Sequence, residues 1–169
     1  MVLRTQTDYA LRALVYLAHI SDQASVETIA SAYGISKDHL VKVVQQLVRL
    51  GYVISRSGRN GGIRLAREPG MINCGTVVAQ FEGRHGLLPC VMDTNYCVLE
   101  PGCVLRSALI KAEEAMYGIL DRLSLADVIK ANHERGSGGI YNLTIRGRTP
   151  KVQVTVAESA AHAQPKAAN

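Results

Sequence analysis

No apolar run in the chain approaches the roughly 18 residues that a membrane-spanning helix needs. The densest stretch, Ala13 to Ala18, is short and follows Arg12. The N-terminus, Met-Val-Leu-Arg-Thr-Gln-Thr-Asp, lacks the charged-then-apolar order of a secretory signal. A cytoplasmic protein with no membrane partner is the expectation. No internal repeat, no Gly-rich nucleotide-binding motif and no Ser/His/Asp set occurs, so nothing points to an enzyme. Cysteine is scarce, four in 169 residues, and a cytosolic protein has little use for disulfides. The apolar fraction of 47% and charged fraction of 20% exclude gross disorder, collagen and coiled-coil rods. What remains is a globular chain long enough for one domain with a proper core.

Acid is missing from one place in particular. Between Tyr33 and Arg67 stand seven basic residues (Lys37, Lys42, Arg49, Arg56, Arg59, Arg64, Arg67) and one acidic residue, Asp38. The whole chain carries +5, so the rest of it is close to neutral. A stripe of this sort is either a solvated basic face or the footprint of a polyanion, most often nucleic acid.

The apolar spacing around that window is helical. Tyr9 to Ile20 places Leu11, Leu14, Val15 and Ala18 on one stripe, with Thr7 or Asp8 as its cap. A short second helix runs from Ser25 to Tyr33 and ends at Gly34. Ser36 caps a third, from Lys37 to Leu50, whose stripe is Leu40, Val43, Val44, Leu47 and Leu50. Helix, tight Gly-containing turn and helix form a helix-turn-helix, whose second member enters a major groove. The outward face of that helix offers Ser36, Lys37, His39, Lys42, Gln45, Gln46 and Arg49, all able to bond phosphates or base edges.

Two strand-like runs follow, Tyr52 to Ile54 and Ile63 to Leu65, joined by Ser55 to Gly62. Asn60-Gly61 is a hairpin signal, because both residues tolerate positive φ. A hairpin directly after the helix pair reads as a wing, with Arg56, Arg59, Asn60, Gly61 and Arg64 placed to meet DNA; the alternative is an ordinary basic hairpin. Asn73 caps a further helix, Cys74 to Phe81. Arg84 to Cys103 shows no helical period and reads as a loop of about twenty residues, a length uncommon without a purpose. Val104 to Leu123 is strongly helical with a broad apolar stripe, and a short helix capped by Ser124 follows. A long apolar helix with little core of its own to cover predicts pairing with a second subunit. The expected fold is mainly α with a small β wing: a winged helix-turn-helix plus a long C-terminal dimerisation helix. The expected divisions are 1–83 for DNA binding, 84–103 for the loop, 104–132 for the dimer helix and final helix, and 133–169 for a disordered tail.

Cys74, inside a helix, reads as a small buried apolar residue. Cys90, Cys97 and Cys103 lie together in the long loop. They are either unrelated thiols or metal ligands. Their spacing is wider than the Cys-x2-Cys of zinc sites and suits an iron–sulfur cluster. Three thiolates leave a fourth position, open to Cys74, to His85 or to a carboxylate from elsewhere.

The sequence resembles the Rrf-type family of winged-helix iron–sulfur transcriptional repressors, from Met1 to about Lys130. The resemblance is carried by Thr7-Asp8-Tyr9-Ala10-Leu11-Arg12-Ala13-Leu14, by Val41-Lys42-Val43-Val44-Gln45-Gln46-Leu47 and by Gly58-Arg59-Asn60-Gly61-Gly62-Ile63-Arg64-Leu65. The three-cysteine loop and Leu125-Ala126-Asp127-Val128 complete it. It implies a homodimer on a roughly palindromic double-stranded DNA operator. Within the family the sequence is similar to the nitric-oxide-sensing branch. That branch implies a four-iron (4Fe–4S) cluster on three Cys and an Asp at the start of the partner subunit's first helix, the position of Asp8 here. Relatives with a two-iron (2Fe–2S) cluster have His three residues after the last Cys; here Arg106 stands there, although a two-iron cluster stays open. At the wing tip Ser57 precedes Gly58 where many relatives have Arg. An iron- or redox-responsive regulator of the same family is the alternative function, and an iron–sulfur electron carrier is a more distant one.

Overall fold

The computed structural model describes residues 3–58, 61–83, 86–93, 96–99 and 102–134. Its elements run α1 (Thr5–Ile20), α2 (Val26–Tyr33), α3 (Lys37–Arg49), β1 (Val53–Arg56) and β2 (Gly62–Leu65), then α4 (Cys74–Glu82), α5 (Pro89–Met92), α6 (Val104–Leu120) and α7 (Leu125–Glu134). The fold is mainly helical with one two-stranded antiparallel sheet.

Amphipathic spacing places the core. Ala10, Ala13, Leu14 and Leu17 of α1 bury against Ile29 and Ala30 of α2 and Leu40, Val43, Val44 and Leu47 of α3. Val53 and Ile63 close this cluster from the sheet, and Val77 and Phe81 close it from α4. The chain after α6 returns to the same core. Leu125 of α7 is fully buried in it and Ile129 packs against it.

Side-chain caps fix the starts of α2 and α4, whereas Ser36, expected to cap α3, stands at the capping position without a side-chain bond. Ser25 Oγ accepts the Thr28 N–H at 3.0 Å, and Asn73 Oδ1 accepts the Thr76 N–H at 2.8 Å. Gly34 ends α2 in the left-handed conformation, φ 63°, which turns the chain tightly into α3. The start of α1 differs from the expectation. Neither Thr7 nor Asp8 is its cap, because the helix begins a turn earlier, with Arg4 at the capping position and no side-chain capping bond from it. The acceptor comes from another helix instead. Glu82, the last residue of α4, accepts the Arg4 N–H at 2.7 Å and the hydroxyl of the fully buried Thr7. A carboxylate at this end also suits the positive pole of the α1 dipole.

Two further boundaries differ. The long loop contains one helical turn, α5, started by Pro89, whose fixed φ and missing N–H suit a first helical position. The final helix extends to Glu134, so residues 133 and 134 are helical; the expectation of a disordered tail otherwise falls on 135–169, outside the described residues.

α6 is held at its C-terminal end. Asn73 Nδ2 donates to the Asp121 carbonyl at 2.6 Å, and the Cys74 N–H to the Leu123 carbonyl at 2.9 Å. Gly75 permits this approach, since a Cβ there would sit 2.1 Å from Asp121 Oδ1. Along the helix, Tyr117 is the buried residue, while Val104, Leu105 and Ile119 are 82%, 62% and 65% exposed. Among the described residues no helix is long and apolar enough to cross a membrane.

Candidate nucleic-acid interface and cysteine loop

The buried stripe of α3 fixes which of its residues face outward. Ser36, Lys37, His39, Lys42, Gln45 and Arg49 are exposed, and Gln46 is half-buried. These are the side chains expected from the sequence to reach DNA. Lys37 is engaged already: its Nζ lies 2.8 Å from Glu27 Oε2 of α2. This hydrogen-bonded pair pushes the Glu27 carboxyl below its usual range and the Lys37 ammonium above its own. Thr5, Gln6 and Tyr9 of α1 and His39, Lys42 and Val43 of α3 line a cleft of about 370 Å³.

The wing is set by strand register. Val53 pairs with Leu65, Ile54 with Arg64, Ser55 with Ile63 and Arg56 with Gly62. Alternation along each strand puts Ile54, Arg56 and Arg64 on one face and Val53 and Ile63 on the other. Val53 and Ile63 are buried; both arginines on the first face are exposed. A pair of hydrogen bonds between Ala24 and Ile63, at 3.0 and 2.8 Å, ties the wing to the turn between α1 and α2. At the tip the Gly61 N–H donates to the Gly58 carbonyl at 2.9 Å. A Cβ on Gly61 would fall 2.4 Å from the Arg56 carbonyl oxygen, so this position demands glycine. Arg59 and Asn60 lie outside the described residues.

Arg67, part of the basic window, serves the fold. Its guanidinium lies over the Tyr52 ring, 5.1 Å from the centroid, and donates to the Leu50 carbonyl at 3.3 Å. A charge count along the sequence does not distinguish such a stacked arginine from one facing a partner.

All four cysteines are free. Cys74 is buried, as expected, and burial pushes its thiol pKa up. Cys90 lies in α5, Cys103 occupies the capping position of α6, and Cys97 lies between them; all three are half-buried. Arg106 bridges the loop to α6, its Nε donating to the Cys90 carbonyl at 2.6 Å and its Nη2 to the Val91 carbonyl at 3.3 Å. Three free thiols on one loop have the donor chemistry an iron–sulfur cluster needs. Within one chain, and among the described residues, no three His, Cys, Asp or Glu side chains are drawn together as a metal-binding group. Asp8, half-buried on the first turn of α1, accepts from Arg12 Nε at 2.8 Å. The Arg12 guanidinium also lies 5.7 Å from the Tyr33 ring centroid. His85, weighed above as a ligand, lies outside the described residues.

The Rrf2 family, described as iron-dependent transcriptional regulators, matches residues 3–131. The chain belongs to the Rrf2 family. A curated HTH-type transcriptional regulator NsrR of Oceanobacillus iheyensis is 42% identical over 137 residues, spanning 79% of this chain and 93% of that protein. The NsrR of Geobacillus kaustophilus is 43% identical over 133 residues, spanning 77% and 90%. Among solved structures, IscR of T. potens superposes with a TM-score of 0.66 at 27% identity, over 80% of this chain and 91% of that one. CymR of B. subtilis, at 24% identity and the same TM-score over 78% and 98%, shares the fold. This Rrf2 protein is therefore a transcriptional regulator similar to NsrR, built as a winged helix.

Sequence reasoning missed three contacts of this site: Glu27 with Lys37, Glu82 with Thr7, and Arg106 with Cys90. Each joins residues at least ten apart in sequence and leaves no periodic signal.

Proposed function

We propose that this Rrf2 protein is a homodimeric, DNA-binding transcriptional repressor whose grip on a roughly palindromic operator is set by an iron–sulfur cluster sensitive to nitric oxide. The observation that carries the reading is the pairing, in one chain, of an exposed polar α3 face beside a wing with Arg56 and Arg64 outward, and a loop with three free thiols.

In this reading Ser36, Lys37, His39, Lys42 and Gln45 meet the major groove, and Arg56, Arg59, Asn60, Gly61 and Arg64 meet the adjoining backbone. Cys90, Cys97 and Cys103 hold the cluster, 4Fe–4S in preference to 2Fe–2S, with Asp8 of the partner subunit as fourth ligand. The exposed apolar residues Val104, Leu105 and Ile119 of α6 supply a face for the second copy. When bound, the cluster supplies iron that reacts with nitric oxide. The protein's own part is to hold its two winged helices at one spacing, so regulation is a population shift between DNA-competent and incompetent dimers. A tenfold change in affinity needs about 1.4 kcal/mol.

The test is anaerobic purification followed by operator titration. A brown dimer that bleaches and releases operator on stoichiometric nitric oxide is expected. A colourless protein whose operator affinity ignores nitric oxide overturns the proposal. The description of the family as iron-dependent supports a second reading, in which iron supply is the signal. Release of operator by an iron chelator, with no response to nitric oxide, selects that reading.

A further inference from the structure

Cys90 and Cys103 stand 13 residues apart in the long loop, yet a single side chain joins their surroundings. Arg106 lies on the first turn of α6, three residues after Cys103, which occupies the capping position of that helix. Its guanidinium reaches back 16 residues to the carbonyls of Cys90 and Val91. α5 is only four residues long, so its carbonyls have little helix ahead to accept from. The side chain is half-buried, in keeping with a fixed role.

We propose that Arg106 is the positioning residue of the cysteine loop: by bonding the main chain at Cys90 and Val91 it sets Cys90 in register with Cys103 before any cluster is present. The inference rests on the reading of Cys90 and Cys103 as ligands of one cluster. A planar guanidinium with donors in a fixed fork serves two adjacent carbonyls at once; an ammonium serves them less well. The backing is local, too. Gly86, φ +70°, closes over this segment, and a Cβ there would lie 2.9 Å from Val91 Cβ.

The experiment uses the full chain, reduced and metal-free, and follows alkylation of each cysteine by mass spectrometry. Working near pH 9.5, about one unit above an ordinary thiol pKa, makes the rate report access rather than ionisation. Arg106→Gln is expected to raise the Cys90 rate roughly tenfold relative to Cys97, the factor for one lost charged hydrogen bond, with buried Cys74 unchanged. Arg106→Lys is expected to fall between the two. An unchanged Cys90 rate in Arg106→Gln overturns the proposal. So does a rise at Cys74 equal to that at Cys90 in both variants, since Arg106 would then support the whole fold. A second arm reconstitutes each protein with iron and sulfide and times bleaching by chelator, which is expected to run about tenfold faster in Arg106→Gln. Equal bleaching times overturn the link to the cluster. Failure of the unaltered protein to take up iron and sulfide defeats the cluster reading itself, while the alkylation result still decides whether Arg106 orders Cys90.

Discussion

The Glu82 carboxylate accepts the hydroxyl of Thr7, joining the last residue of α4 to the first turn of α1 across 75 residues of sequence. The same carboxylate accepts the Arg4 N–H and lies 3.8 Å from Arg4 Nε. The chain thus departs for the cysteine loop from a point fixed to the helix that carries Asp8. Glu82→Ala strands a fully buried hydroxyl and removes the acceptor that starts α1. The expected cost is about 2 kcal/mol, read as a lower urea midpoint at an unchanged slope. A midpoint equal to that of the unaltered protein would show that water replaces the carboxylate.

α7 belongs to the core, which Leu125→Ala tests. The side chain is 1% exposed, and truncating a buried leucine costs about 2–5 kcal/mol. Thermal unfolding should show one transition at a markedly lower temperature. Two separate transitions would mean that α7 folds apart from α1.

Glu27 restrains Lys37 at the entrance to α3. Glu27→Gln frees that ammonium for phosphate, so affinity for unrelated DNA sequences should rise. The slope of log affinity against log salt should steepen by about 0.9, the value for one more phosphate contact. The pH dependence has a definite sign. Glu27 lies below its ordinary 4.5, so its share of the pairing is full above that value and lost as pH falls through the lowered one. Lys37 lies above its ordinary 10.5, so its share is full below that value and lost as pH rises through the raised one. Between these limits the effect of Glu27→Gln should be flat, as fluorescence anisotropy with labelled duplex can measure.

Gly61→Ala drives a methyl group into the Arg56 carbonyl and distorts the wing tip. Operator affinity should fall at least tenfold with little change in melting temperature, because the tip lies outside the core. Arg64→Ala, by contrast, should weaken binding to every sequence alike and flatten the salt slope by about 0.9.

Cys90→Ser, Cys97→Ser and Cys103→Ser should each abolish retention of iron and sulfide, measured chemically after anaerobic reconstitution. Cys74→Ala should retain both, since its buried thiol lies in the packed start of α4. Retention of a full complement by any of the three serine variants would remove that residue from the ligand set.

Much of the fold was legible because its determinants are local. The α3 stripe, the caps at Ser25 and Asn73 and the left-handed Gly34 each act within a few residues, so period and residue type sufficed. The start of α1 was not legible, because its acceptor is Glu82 on another helix. α5 is not legible either, because one turn begun by Pro89 has no period to display. In the site, the outward residues of α3 followed from its stripe, but the use of each charge did not. Arg67 stacks on Tyr52 and Lys37 pairs with Glu27, and both depend on which elements the fold brings side by side. The three thiols are countable in the sequence; that Arg106 ties Cys90 to the helix following Cys103 depends on the packing of α5 on α6.

The close seat of Gly75 against Asp121 gives α6 a fulcrum. The helix has 17 residues, a rod of about 25 Å, with Cys103 at the end remote from that seat. By simple leverage, tilting the rod by about 5° carries the Cys103 end through roughly 2 Å, enough to break a hydrogen bond there while the pivot hardly stirs. A modest rotation of α6 is thereby magnified at the thiol.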